Sequence, residues 1–194
     1  MKMSQQTRLG GILLPLLLLF SQPSYAENFE VTDAQVTLQD GIYQLSSTIR
    51  YPLGSELTEA LHQGVVIPIK VIVEVYTPNR YLPETEVAFL KQRYELRFHA
   101  LTRQYVVTNH NSGVNNNYGS LAHALQHLGE IKNLPIIDQN LLKEGVEYRL
   151  RIRAAINTGQ LAIPLRLTSY FYGPWRNESE WWDLPLKEEA DHKP

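Results

Sequence analysis

The strongest constraint on this chain is a run of strict alternation. Val65, Ile67, Ile69, Val71, Val73 and Val75 are all branched and apolar, one at every second residue. Successive strand side chains point to opposite faces, so this spacing gives a strand one apolar face and gives a helix none. Residues 65–76 therefore read as a long core strand. Pro68 has no N–H to give to a ladder and predicts an edge or a bulge.

The same period recurs along the chain. Residues 29–38 are rich in strand formers, and Asp40-Gly41 is a hairpin signal. Tyr43, Leu45, Ile49 and Tyr51 alternate with Gln44, Ser46, Thr48 and Arg50. Tyr94, Leu96 and Phe98 point inward between Arg93, Glu95, Arg97 and His99. Val146, Tyr148, Leu150, Ile152 and Ala154 do the same against Glu147, Arg149, Arg151 and Arg153. Residues 101–104 predict a tight link into a strand at 105–107, and residues 110–118 a polar Asn-rich loop. Residues 161–172 are apolar around Pro164, and Trp181, Trp182 and Leu184 predict a short last strand.

Helix signals are few. Ser55 is placed to cap a short helix ending near Gln63. Ser120 is placed to cap one reaching about Leu128, with Leu121, Ala124, Leu125 and Leu128 on one stripe. Pro135 predicts a break in the chain beyond that helix, and residues 138–143 suggest a single helical turn. Together these features predict a mainly β chain, an antiparallel β-sandwich or curled sheet with two or three short helices. Its boundaries are a single domain over residues 27–186 and a charged, frayed tail over 187–194.

Residues 1–26 read as an address. Lys2 and Arg8 precede an apolar run at 9–20, and Ser24-Tyr25-Ala26 offers small residues at the −3 and −1 positions. That order predicts a secretory signal peptide with cleavage after Ala26, an uncleaved anchor being the alternative. A transmembrane span fails on length, since about 12 residues at about 1.5 Å each cover roughly 18 Å of a roughly 30 Å core. The expected location is the periplasm.

Composition narrows the function classes. The chain of 194 residues has no Cys, 43% hydrophobic and 20% charged residues, and a formal charge of −2. Loss of Lys2 and Arg8 with the leader makes it more acidic still. Thiol chemistry and Cys-based zinc modules are excluded, and nothing here resembles the basic footprint of a nucleic-acid binder. There is no Gly-x-Ser-x-Gly elbow, P-loop or Gly-x-Gly-x-x-Gly, so neither a catalytic residue nor a cofactor is predicted.

Three constellations remain. His123 and His127 stand four apart on the predicted helix, a spacing that can hold zinc. The run lacks the Glu after the first His that a His-Glu-x-x-His hydrolase needs, and two surface histidines on a polar face are the plainer reading. Arg149, Arg151 and Arg153 share one strand face, and Arg93 and Arg97, with His99, share another. Were those strands neighbours, they would form a basic stripe for phosphate, a lipid head group or an acidic partner. Otherwise they are solvated residues paired with Glu95 and Glu147. Trp175, Trp181 and Trp182, with Tyr170, Phe171 and Tyr172, make the C-terminal region aromatic. Exposed, they would form a partner platform; buried, they are core.

A series of short segments, in order, resembles an uncharacterised family of exported proteobacterial proteins, domain of unknown function 4390. They are Tyr43-x-Leu45, Glu59-Ala60-Leu61-x-x-Gly64-Val65, Leu101-Thr102-x-Gln104-Tyr105-Val106-Val107, Ser120-Leu121-x-x-Ala124-Leu125, Tyr148-Arg149-Leu150-Arg151, Pro164-Leu165-Arg166 and the closing tryptophans. The family's Trp-rich turn after the long strand is Tyr81-Leu82-Pro83 in this chain. The resemblance implies a periplasmic protein with no assigned activity and no catalytic residues to carry over. It also implies a regulatory link to a membrane sensor kinase.

The expected function is a non-enzymatic binding or accessory module for an envelope protein partner. Its candidate contact residues are Arg93, Arg97, Arg149, Arg151, Arg153, Trp175, Trp181 and Trp182. The alternatives are a carrier of a small ligand or lipid with a cavity between sheets, and, behind it, a metal-dependent enzyme using His123 and His127.

Overall fold

Among the described residues nine strands form, seven of them where the sequence predicts strands and two beyond those. The computed structural model describes residues 28–81, 83–161 and 173–186; residues 1–27, Leu82, 162–172 and 187–194, with the expected signal peptide, apolar stretch and tail, lie outside the described residues. The strands form two antiparallel sheets. One is β1 (Glu30–Gln39), β2 (Ile42–Arg50) and β7 (Glu130–Asp138) in the order β1-β2-β7. The other comprises β3 (Ile67–Thr77), β4 (Thr85–His99), β5 (Gln104–Asn109), β6 (Asn115–Tyr118), β8 (Arg149–Ile156) and β9 (Trp182–Pro185). Its order is β6-β5-β4-β3-β8-β9. Two antiparallel sheets around one core are what the alternation predicts.

β3 is the spine of the larger sheet, with β4 on one side and β8 on the other. Ile67, Ile69, Val71, Val73 and Val75 are fully buried. Leu96 of β4, Leu150, Ile152 and Ala154 of β8, and Leu45 and Ile49 of β2 join them in one continuous core. Each such Val, Leu or Ile side chain contributes about 1.5–3 kcal/mol by leaving water.

The hairpin between β1 and β2 turns at Asp40 (φ 51°) and Gly41 (φ 79°). Both positive angles suit the primed turn that matches strand twist, which is why Asp-Gly stands there. α1 (Ser55–His62) buries Leu57 and Leu61, and α2 (Leu121–Gly129) buries Ala124 and Leu128. Ser120 caps α2, its hydroxyl accepting from the His123 N–H at 3.3 Å. α2 lies so close to β2 that a Cβ on Gly129 would meet the Ile49 carbonyl oxygen at 2.0 Å.

Several expectations need correction. Pro68 marks neither an edge nor a bulge: β3 is central. The Pro68 carbonyl accepts from Asn157 N–H at 2.7 Å, just past the last β3–β8 pair, Ile69 with Ile156. N and O of a strand residue point the same way, so the missing donor faces the end of that ladder, where little is lost. Ser55 is the first residue of α1, not its cap; Gly54 precedes it with no side-chain cap. Part of the expected polar loop is a strand, because Asn115–Tyr118 pairs along β5. Pro135 does not break the chain but sits inside β7, opposite Gln44 beside a register shift, on an edge strand that tolerates proline. β8 starts at Arg149, leaving Val146 outside the sheet and 41% exposed.

Candidate functional site

The larger sheet turns its second face outward, and its chemistry lies there. Register sets which residues share it. Pro68, Lys70, Ile72, Glu74 and Tyr76 of β3 stand beside Glu95, Arg93, Lys91, Phe89 and Glu86 of β4. On the other side, Lys70, Ile72, Glu74 and Tyr76 stand beside Ala155, Arg153, Arg151 and Arg149 of β8. The two basic strands are therefore not neighbours. β3 separates them, and Arg97 and Arg149 fall near opposite ends of it, roughly 30 Å apart at about 3.3 Å per residue.

The β8 arginines are held by carboxylates, though not by Glu95 or Glu147. Arg151 Nε donates to Glu74 at 2.7 Å and its Nη1 to Glu84 at 2.8 Å. Its guanidinium lies over the Tyr76 ring at 4.7 Å and the Trp181 ring at 4.9 Å. Burial pulls its proton affinity down, but the Glu74 and Glu84 carboxylates outweigh it and leave the group more basic than usual. Arg149 Nε donates to Asp183 at 2.6 Å, and that bond raises its pKa. Tyr76 also donates its hydroxyl to Asp183, and burial followed by that bond raises the phenol.

Arg153 differs. Its guanidinium lies 4.5 Å from the Trp181 ring, its Nε is buried with no hydrogen-bond partner, and Nη1 reaches Glu178 only at 3.6 Å. Lys70, two pairs along the sheet, is less basic than an ordinary lysine, through burial first and then the charges of Lys91 and Arg153. Lys70, Lys91 and Glu178 were invisible to sequence reasoning because only the register brings them together. Lys70 is the one basic residue of β3, and alternation marks it as outward, but no sequence signal names its cross-strand neighbours.

The tryptophans divide. Trp175 is core at 4% exposure, Trp181 is the half-buried plate over Arg151 and Arg153, and Trp182 is 38% exposed on β9. Tyr170, Phe171 and Tyr172 lie outside the described residues. His123 and His127 are exposed on α2. His127 stacks on Tyr118 at 5.3 Å and its Nε2 lies 3.4 Å from Asn116 Nδ2, while Glu130 pairs with Lys132 at 2.9 Å. Among the described residues, no three His, Cys, Asp or Glu side chains are grouped to hold a metal ion.

The β4 edge carries a second feature. β5 pairs with β4 only from Tyr94 to His99. The Asn109–Gly113 loop caps the next turn: His110 N–H donates to the Arg93 carbonyl, and Asn111 Nδ2 to the Lys91 carbonyl. Residues 85–90 pair with β3 alone, with a register shift at Val87, and have no ladder partner on their other side among the described residues. Phe89 is 49% exposed and Val87 36%. Three of the four terminal edges are guarded: β7 contains Pro135 and Lys132, β9 ends at Pro185, and β6 is four residues of mostly Asn; the fourth, β1, pairs with β2 alone among the described residues and carries a register shift between Val31 and Asp33.

A groove of about 700 Å³ opens between the end of β2 and α2. Ile49, Pro52, Ala122 and Leu125 line it, with Arg50 and Lys132 at its rim. It lies beside α2 rather than between the sheets. Among the described residues, no helix is long and apolar enough to cross a membrane.

Residues 26–185 match the family described as Domain of unknown function (DUF4390). Comparison with the curated proteins, and with the solved structures, finds no match.

Proposed function

The chain belongs to the DUF4390 family, and from that premise we propose that it is an exported, periplasmic, non-enzymatic binding module that takes a strand of an envelope protein along the edge of β4 at residues 85–90. The observation that carries this reading is that edge itself. Among the described residues, 85–90 offer backbone with no ladder partner on its outer side, beside exposed Val87 and Phe89, on a strand held rigid by its pairing to the buried β3. An extended segment added there gains main-chain hydrogen bonds for affinity and side-chain contacts for selectivity. The leader pattern at residues 1–26 supports export. The membrane sensor kinase that the family resemblance implies is the partner to test first.

Backbone polarity gives a sharp test. Arg93 and Lys91 direct their backbone groups to the open side, so Phe89, two residues further, does too. Phe89→Pro removes an edge-facing donor that the β3–β4 ladder does not use. A tagged chain should retain a specific envelope protein from membrane extract, retain it more weakly as Phe89→Ala, and lose it as Phe89→Pro with thermal stability kept. Identical retention by all three chains would refute strand addition. The groove beside α2 favours a second reading, a small-ligand or lipid carrier; a ligand mass retained under native mass spectrometry supports it, and a bare chain removes it.

A further inference from the structure

We propose that the outer face of the larger sheet holds a binding site for a phosphoryl group, built by Lys70, Lys91, Arg93 and Arg153. This site is independent of strand addition at the β4 edge.

Register brings the four cations together. Lys70 stands directly opposite Arg93, and Ile72 is flanked by Lys91 on one side and Arg153 on the other. Directly opposed residues are about 5 Å apart at Cα, and two strand spacings put Lys91 and Arg153 about 10 Å apart across Ile72. Ile72, 8% exposed, forms an apolar floor, and Ala155, beside Lys70, is buried where Glu178 pairs opposite it. The lowered proton affinity of Lys70, to which both Lys91 and Arg153 contribute, agrees with their convergence.

The acids nearby do not neutralise the group. Glu95 is engaged by Arg97 at 3.5 Å and His110 at 3.1 Å. Among the described residues Glu178 is the only carboxylate on Arg153, at 3.6 Å, and its opposing effect on Lys70 is the smallest of those acting there. Among the described residues Lys70, Lys91 and Arg93 have no ion-pair partner, whereas Arg149 and Arg151, on the same face, each have one or two. Like charges directly opposed across strands destabilise a sheet. A face that pairs Arg97, Arg149 and Arg151 with close carboxylates and, among the described residues, leaves Lys70, Lys91 and Arg93 facing each other without one has kept an unfilled demand for negative charge. The Trp181 plate holds the Arg153 fork against the sheet with its Nε donor unused.

Four cations, two of them with fork-shaped donors, suit an anion with several oxygens and more than one charge, which a phosphoryl group supplies and a single carboxylate does not. A soluble phosphate and the head group of an anionic lipid both present that chemistry. Inorganic phosphate, followed by titration calorimetry, probes the first source. Sedimentation with phosphatidylglycerol vesicles, against phosphatidylcholine vesicles, probes the second.

Saturable binding to either probe should weaken at least about tenfold in the Lys70→Gln/Arg93→Gln double variant. Arg97→Gln, a charge loss further along the same strand, should change it less than about twofold. Phosphate binding assigns the soluble source; vesicle binding without phosphate binding assigns the head group. Failure to bind both probes overturns the proposal. So does an Arg97→Gln loss as large as the double variant's, which would mean diffuse attraction. Both variants remove surface charge, and a thermal melt confirms that each is folded.

Discussion

At the scale of single residues, two positions carry the clearest consequences. Gly129 is where α2 meets β2, and a methyl group there would overlap the Ile49 carbonyl oxygen. Overpacking of this kind costs about 1–3 kcal/mol or more. Gly129→Ala should therefore lose at least about 2 kcal/mol in denaturant unfolding, which would leave a marginal protein partly unfolded. Lys70 works in the opposite direction. Its folded pKa is lowered from 10.5, by burial and then by Lys91 and Arg153. The unfolded chain then binds more protons than the folded one, so this group's contribution to stability rises with pH through the interval from the lowered value up to about 10.5. Lys70→Gln should stabilise the protein by about 0.5 kcal/mol at pH 7, within the range for opposed like charges. Its advantage over the parent chain should shrink as pH climbs through that interval. Comparing the two chains cancels the tyrosines, whose raised pKa values act the other way. The outward direction of Lys70 was legible in the alternation of β3. Its conflict with Arg93 and Arg153 was not, because which residues stand opposite each other depends on strand order and register.

At the scale of elements, legibility follows the strength of the local pattern. β3, the Asp40-Gly41 hairpin and α2 with its Ser120 cap were readable because period, turn chemistry and cap agree. Ser120→Ala should cost about 1 kcal/mol, measured by thermal or denaturant melts. Ile69→Ala, at a fully buried position of β3, should cost about 2–5 kcal/mol. β6 and β7 were not readable. Asn115–Tyr118 has poor intrinsic strand preference and forms because β5 offers a ladder to complete. Glu130–Asp138 contains a proline that local rules read as a break, and it is rescued by lying at an edge beside β2. Both are tertiary effects imposed on weak local sequence. The arginines of β8 show the same division: their shared face was legible, and their carboxylates Glu74, Glu84, Asp183 and Glu178 come from other places in the chain.

At the scale of the whole molecule, an acidic chain presents, among its described residues, one sheet face on which cations are only partly neutralised and a β4 edge that is only partly paired. The core explains why both can be rigid. β3 is buried on its inner face and bonded on both sides, so β4 and β8 are fixed to it. The central functional claim is that the edge at residues 85–90 receives a strand of an envelope protein. The most direct measurement is in-cell photocrosslinking, with a photoreactive amino acid at Val87 and, as control, at Thr37 on β1. The account predicts one defined adduct with an envelope protein from position 87, lost when Phe89→Pro is added, and none from position 37. An absence of any adduct at position 87, or an adduct that survives Phe89→Pro, would contradict it.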